Sequence, residues 1–265
     1  MRMKIILKRI KDEFDNAIIS ASFNGGNYAN GNKAKEALIR SQKIINYIHE
    51  YIKRDFIDNG VNMNKIIPPL NFSNPELKIK GFLKSKNQDV SIVPSLEYID
   101  FAEAGDPKAE KILTVNIRSQ LSSLQKNIDT LYERTFAEAL NLHLNFPKQC
   151  LGEVYLIPTH EYDDKAMLNN RVVFKSQSKI ESYIKMFQNI NDRESENVDA
   201  YKYERVCLLV ADFRQERPKL YSSTEELKRD GLVSEDFDID MSGLSINNFA
   251  KDLIKIYKNR FGHAI

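Results

Sequence analysis

Between Leu113 and Leu142 the spacing of apolar residues switches from two to about 3.6. Over Lys111 to Gln120, Leu113, Val115 and Ile117 alternate with Thr114, Asn116, Arg118 and Gln120, the pattern of a half-buried strand with one polar face. From Leu121 the apolar positions fall at Leu124, Ile128, Leu131, Ala139 and Leu142, with Thr135 in the same row, so the strand runs directly into a long helix. Buried polar groups cost roughly 1 to 3 kcal/mol each unless paired. A core strand with Asn116, Arg118 and Gln120 on one face therefore needs partners or a task there.

The same patterns predict the flanking elements. A glycine and asparagine cluster at Asn24–Asn32 breaks the chain after a first short helix, and a second long helix is expected over Lys33 to Phe56. Glu76–Lys84 and Gln88–Val93 read as two strands joined by a polar turn at Ser85–Asn87, followed by an acidic irregular stretch from Pro94 to Glu110. Strands are expected at Gln149–Ile157 and Arg205–Phe213, and helices at Ser178–Asn189 and Asn247–Arg260. This order implies an α/β fold with a mixed central sheet flanked by helices. One domain is expected: an N-terminal helical part (residues 1–70), a core (71–215) and a C-terminal helical part (216–265).

Charge narrows the function classes. With 39 Lys plus Arg against 37 Asp plus Glu, the net charge of +2 excludes a globally basic nucleic-acid coat, so any anion-binding surface is local. The N-terminal MRMKIILKRIKDEFD reads as neither signal peptide nor membrane anchor, and a cytoplasmic protein is expected. Cys150 and Cys207 both fall in apolar strand-like segments and are expected to be buried free thiols. The chain holds no phosphate loop, dinucleotide fingerprint or nucleophile elbow, and its four histidines lack metal-ligand spacing.

Carboxylates, lysines and amides on strands remain. Asp89 opens a core strand just after the hairpin, and Lys78, Lys80, Lys84 and Lys86 recur on the hairpin beside it. A carboxylate near a row of lysines can hold a divalent cation and a phosphodiester together; an acid ending a turn beside solvated lysines is the plainer explanation. Ser119, Ser122 and Ser123 join the polar face at the strand-to-helix junction, where an edge strand and a serine-rich cap are the plainer explanation. On the helix, Glu138 lies about 80° from the centre of the apolar stripe and can border a cleft, whereas Glu133, at about 140°, faces solvent. Glu50 falls opposite the apolar stripe of its own helix and is set aside.

Taken together, Gln88-Asp89-Val90, Asn116-Ile117-Arg118-Ser119-Gln120, Ser122-Ser123, Asn127, Glu133-Arg134 and Glu138-Ala139-Leu140 resemble the core of type II restriction endonucleases of the PD-(D/E)XK superfamily, particularly the XhoI-like and NgoMIV-like branches. The resemblance covers roughly Glu76 to Pro158. It implies a restriction-endonuclease-like core in a single nuclease domain and magnesium-dependent, sequence-specific hydrolysis of double-stranded DNA by a homodimer. It further implies Asp89, Asn116, Arg118 and Glu138 as catalytic residues and Asp89 and Asn116 as ligands of Mg2+. Lys84, Lys86, Ser119 and Gln120 would contact DNA. The chain departs from the superfamily where Asn116-Ile117-Arg118 replaces an acid, one residue and a lysine. Arg118 cannot readily act as a base at neutral pH, which gives it an electrostatic role on phosphate. Glu153 is the substitute acid should the helix geometry differ. A DNA-binding protein with a dead centre, favoured by that departure, and a module that binds no nucleic acid, favoured by the near-neutral charge, are the alternative readings.

Overall fold

The structure, a computed structural model, describes residues 2–265. The chain opens with helix α1 (Met3–Ser20), a two-residue hairpin β1 (Ser22–Phe23) and β2 (Gly26–Asn27), and helices α2 (Gly31–Arg40) and α3 (Lys43–Asp58). The single helix expected over Lys33 to Phe56 is thus two, because Gln42 takes a left-handed conformation (φ 60°) between them. The apolar row runs through both, so periodicity alone does not register the break.

Next come β3 (Ile66–Ile67), the hairpin β4 (Leu77–Lys80) and β5 (Ser85–Gln88), β6 (Val90–Ile92), and helix α4 (Tyr98–Ala104) within the stretch expected to be irregular. The hairpin differs from expectation. Its turn is Gly81–Lys84, while Ser85–Asn87 belongs to β5, with Leu77 opposite Gln88 and Lys80 opposite Ser85. Gly81 decides this, since a Cβ there would lie 2.0 Å from Asn141 Nδ2. The expected second hairpin strand, Gln88–Val93, is therefore split between two sheets, and Asp89 is the residue at the split.

The remainder is β7 (Leu113–Ser119), α5 (Leu124–His143), β8 (Leu151–Pro158), β9 (His160–Tyr162), the short α6 (Asp164–Met167), β10 (Phe174–Gln177), α7 (Ile180–Asn189), β11 (Arg205–Asp212), β12 (Lys219–Tyr221), α8 (Thr224–Arg229) and α9 (Phe249–Phe261). A six-stranded mixed sheet, order β12-β11-β8-β7-β6-β3, forms the centre. Strands β7, β8 and β11 run parallel, β12 and β6 pair antiparallel to the two edges of that trio, and β3 pairs antiparallel with β6. This is the mixed sheet flanked by helices that the element order implies.

Each sheet face carries its own core. Val115, Ile117, Val154, Leu156, Cys207 and Leu209 pack with Ile10 and Phe14 of α1, Ile48 and Ile52 of α3, and Leu253 of α9. Tyr155, Ile157, Leu208 and Val210 pack on the other side with Leu124 and Leu131 of α5 and Ile184 and Phe187 of α7. Alternation on β7 then places Asn116 and Arg118 on the α5 side. Cys150 and Cys207 are buried free thiols. Among the described residues, no helix is long and apolar enough to cross a membrane.

Candidate active site

Three strands and one helix deliver the site. At the start of β6, Val90 faces Val115 and Ser91 faces Thr114, which brings the preceding Asp89 alongside Asn116 and Ile117. The Ile117 N–H donates to Asp89 Oδ2 at 2.6 Å, extending the β6–β7 edge past the last paired residues. Across the parallel β7–β8 ladder, Asn116 lies opposite Glu153 and Arg118 opposite Tyr155.

Helix α5 closes over this face. Glu138, only 5% exposed, receives the Asn116 Nδ2–H on Oε1 at 2.9 Å. Its Oε2 receives Arg118 Nη2 at 2.6 Å and Lys86 Nζ, from β5, at 2.9 Å. Arg118 Nη1 donates at 2.7 Å to Glu153 Oε1, so the guanidinium fork bridges a helix carboxylate and a strand carboxylate. Glu153 is fully buried and its Oε2 has no hydrogen-bond partner. Glu133 lies on the exposed side of α5.

The loop between β7 and α5 is held from a third direction. Glu161, on β9, accepts the N–H of Ser123 at 2.7 Å on Oε2 and that of Leu124 at 2.9 Å on Oε1. Its negative charge thus sits on the N-terminus of the helix that carries Glu138. Ser123 there adopts a left-handed conformation (φ 56°). Beside this loop a cavity of about 460 Å3 opens, lined by Arg118, Ser119, Gln120, Asn127, Arg134 and Gln42 among others. Ser119 and Gln120 therefore face a space bordered by two guanidinium groups and no carboxylate.

Burial sets the electrostatics. Desolvation pushes Asp89 up to about 7; the Ile117 N–H and Arg118 oppose it, while Glu76 and Glu138 add to it. Desolvation also pushes Glu153 up to about 8, with Arg118 opposing and Glu138 and Asp89 contributing. Burial disfavours the Arg118 cation, but Glu153, Tyr203, Glu138 and Asp89 outweigh it and hold its pKa above the usual guanidinium value.

The donor set can be tested against a divalent cation. Asp89 has one oxygen beyond its bond to Ile117, Glu153 has an unpartnered buried oxygen, and the Asn116 amide donates to Glu138 through nitrogen, leaving its oxygen available. Burial raises the pKa of both acids, and a cation entering beside them would favour their ionised forms. Magnesium binds through one or two carboxylates and completes its shell with water and phosphate, so this set fits it. Among the described residues no group of three or more His, Cys, Asp or Glu is arranged to hold a metal.

The structure thus gathers Asp89, Asn116, Arg118 and Glu138 around one point and adds Glu153 and Lys86. Glu153 was visible as an acid inside an apolar strand, but only the β7–β8 register shows that it faces Asn116. Lys86, expected to contact DNA, is paired with Glu138 in the free protein, whereas Lys84 is exposed at the hairpin turn. The physical reason is the Gly81–Lys84 turn, which pairs Lys86 with buried Ile79 and so aims it at the core side.

No protein-family model and no curated protein sequence matches the chain. Among solved structures, the chain is similar to one described as a restriction endonuclease PspGI–substrate DNA complex, at 14% sequence identity and a TM-score of 0.37, over 95% of this chain and 74% of that one.

Proposed function

We propose that the chain is a divalent-metal-dependent endonuclease that hydrolyses phosphodiester bonds of double-stranded DNA, of the type II, sequence-specific kind. The observation that carries this reading is the convergence of Asp89, Glu153, Glu138 and Asn116 around the Arg118 guanidinium at the edge of an open cavity. The resemblance of the same segments to restriction endonucleases supports it.

In this reading Asp89 and Glu153, with the Asn116 amide oxygen, would hold Mg2+, which when bound would polarise the phosphate and lower the pKa of water. Burial raises the pKa of Glu153 and Asp89, so the cation's entry would be coupled to their ionisation. Glu138 and Glu153 orient the Arg118 fork, whose remaining donors bind the non-bridging oxygens of the scissile phosphate and stabilise the charge that develops there. Glu138 Oε2 also holds Lys86 beside Arg118, so two cations would be at hand for the oxygen that leaves. A duplex presents two strands related by a two-fold, and a symmetric homodimer would place one such centre on each.

Incubation of the purified chain with plasmid DNA, with and without magnesium, tests the reading. Linear or nicked product that needs both the metal and Asp89 is expected. Salt-dependent duplex binding with no cleavage would select the second reading, a DNA-binding protein with a dead centre, which is favoured by the pairing of Arg118 to two carboxylates in the free protein.

A further inference from the structure

The segment Leu77–Gln88 contains four lysines and no acid. At its turn sit two large apolar residues, Phe82, 61% exposed, and Leu83, 83% exposed. Short hairpin turns are ordinarily polar, and nothing else in the described chain covers this pair. The turn is nonetheless built firmly. Asn141 of α5, itself buried, accepts the Leu83 N–H at 2.8 Å and the Lys84 N–H at 3.2 Å on Oδ1, and donates from Nδ2 to the Lys84 carbonyl at 2.9 Å. Its backbone carbonyl accepts the Phe82 N–H at 2.8 Å. Gly81 leaves the room that Asn141 fills. The two apolar side chains are therefore presented on a fixed support.

That support is next to the candidate site. Asn141 follows Glu138 by three residues on α5, a rise of about 4.5 Å. The Lys84 backbone N–H meets the Asn141 side chain and the Lys86 ammonium meets Glu138, so the hairpin touches α5 both at its turn and at the site. Lys78 and Lys84 are exposed on either side of the apolar pair.

We infer that Phe82 and Leu83 form a wedge that enters the base stack of duplex DNA beside the scissile phosphate. An apolar pair flanked by cations matches a partner with charged rails and an apolar stacked interior, and inserted Phe or Leu side chains unstack a base step and bend the helix. Lys78 and Lys84 lie on the phosphates to either side. The wedge rests on the DNA reading proposed above and adds how the duplex is seated: kinked at the point where Lys86 and Arg118 wait.

A pool of mixed-sequence duplexes with 2-aminopurine in place of adenine, titrated in calcium, tests this without cleavage. The parent protein is expected to raise the 2-aminopurine fluorescence on binding. The double variant Phe82→Ser, Leu83→Ser is expected to lose that rise and to bind about tenfold more weakly, the order of one lost stacking contact. Its slope of log affinity against log salt stays unchanged, because no phosphate contact is removed. Binding by the parent with no fluorescence change, or equal binding by parent and variant, overturns the wedge and leaves the DNA reading standing. A parent dimer that dissociates in the double variant during sedimentation assigns the pair to self-association and also overturns it. No duplex binding by the parent overturns both the wedge and the endonuclease reading.

Discussion

Arg118 stands where the sequence resemblance implies a lysine, and it is the side chain that bridges Glu138 and Glu153. Its fork is fixed by Glu138 at 2.6 Å and Glu153 at 2.7 Å, a planar two-point grip that a lysine cannot reproduce. Arg118→Ala is expected to lower the cleavage rate by more than about a hundredfold, the order of removing one preorganised donor, whereas Arg118→Lys keeps part of it. Initial rates on plasmid DNA measure both. Asp89→Asn and Glu153→Gln are expected to abolish cleavage while duplex binding in calcium persists, since carboxylates add nothing to phosphate contact. Retained cleavage in either would remove that residue from the site. The raised pKa values make a further prediction. A carboxyl whose folded pKa is raised contributes stability that is present below its unfolded value and is lost as pH rises through the folded one. For Asp89 and Glu153 that loss runs from about 4 to about 8. Cation binding needs both acids ionised, so magnesium affinity by calorimetry should climb between about pH 6 and 9, and the rise in Tm on adding magnesium should be larger at the upper end.

At the scale of elements, the hairpin separates two lysines that sequence spacing treats alike. Lys84→Ala is expected to reduce the slope of log duplex affinity against log salt by about 0.9, the release tied to one phosphate contact. Lys86→Ala should leave that slope nearly unchanged and lower the cleavage rate instead, because Lys86 is committed to Glu138. Fluorescence titrations at several salt concentrations read the difference. Helix α5 depends on an acid from another strand for its N-terminus: Glu161 takes up two backbone N–H groups that no side chain of the Gln120–Ser123 loop caps. Glu161→Ala is expected to cost about 1 to 2 kcal/mol in urea unfolding, as lost caps do, and to lower activity by loosening the loop that joins Arg118 to Glu138.

Across the whole molecule, the site depends on both cores. Gly152, one residue before Glu153, is where α9 meets the sheet: a Cβ there would lie 2.8 Å from Leu253 Cδ1 and 2.9 Å from Phe249 Cζ. Gly152→Ala is expected to destabilise by about 1 to 3 kcal/mol through overpacking, seen as a lower denaturation midpoint. It should also lower activity, because Glu153 stands on the same strand. A second ionic centre, at the start of β8 and β11, serves the fold. Buried Glu204 accepts Arg260 Nη1 at 2.7 Å and the Leu151 N–H at 2.7 Å, and Arg193 Nη1 lies 3.3 Å away, which ties the terminal helix and the start of β11 to the start of β8.

Much of this was legible along the chain. The change of period at Leu121 specified a strand followed by a helix, because a two-residue and a 3.6-residue repeat cannot share one backbone conformation. The acid at Asp89, the polar row Asn116 and Arg118, and Glu138 at the margin of an apolar stripe were likewise written in local spacing. What spacing could not carry was pairing between distant segments. The opposition of Asn116 and Glu153 is a matter of strand register, the inward turn of Lys86 follows from a hairpin set by Gly81 against Asn141, and the Glu161 cap comes from a strand 37 residues or more away from its partners. The break at Gln42 escaped for the opposite reason, since α2 and α3 bury their apolar rows in the same core and keep a single periodicity. Local periodicity determined the elements and the chemistry each one carries; the tertiary contacts decided which of those side chains meet, because only packing against the sheet brings their charges out of water and within bonding distance.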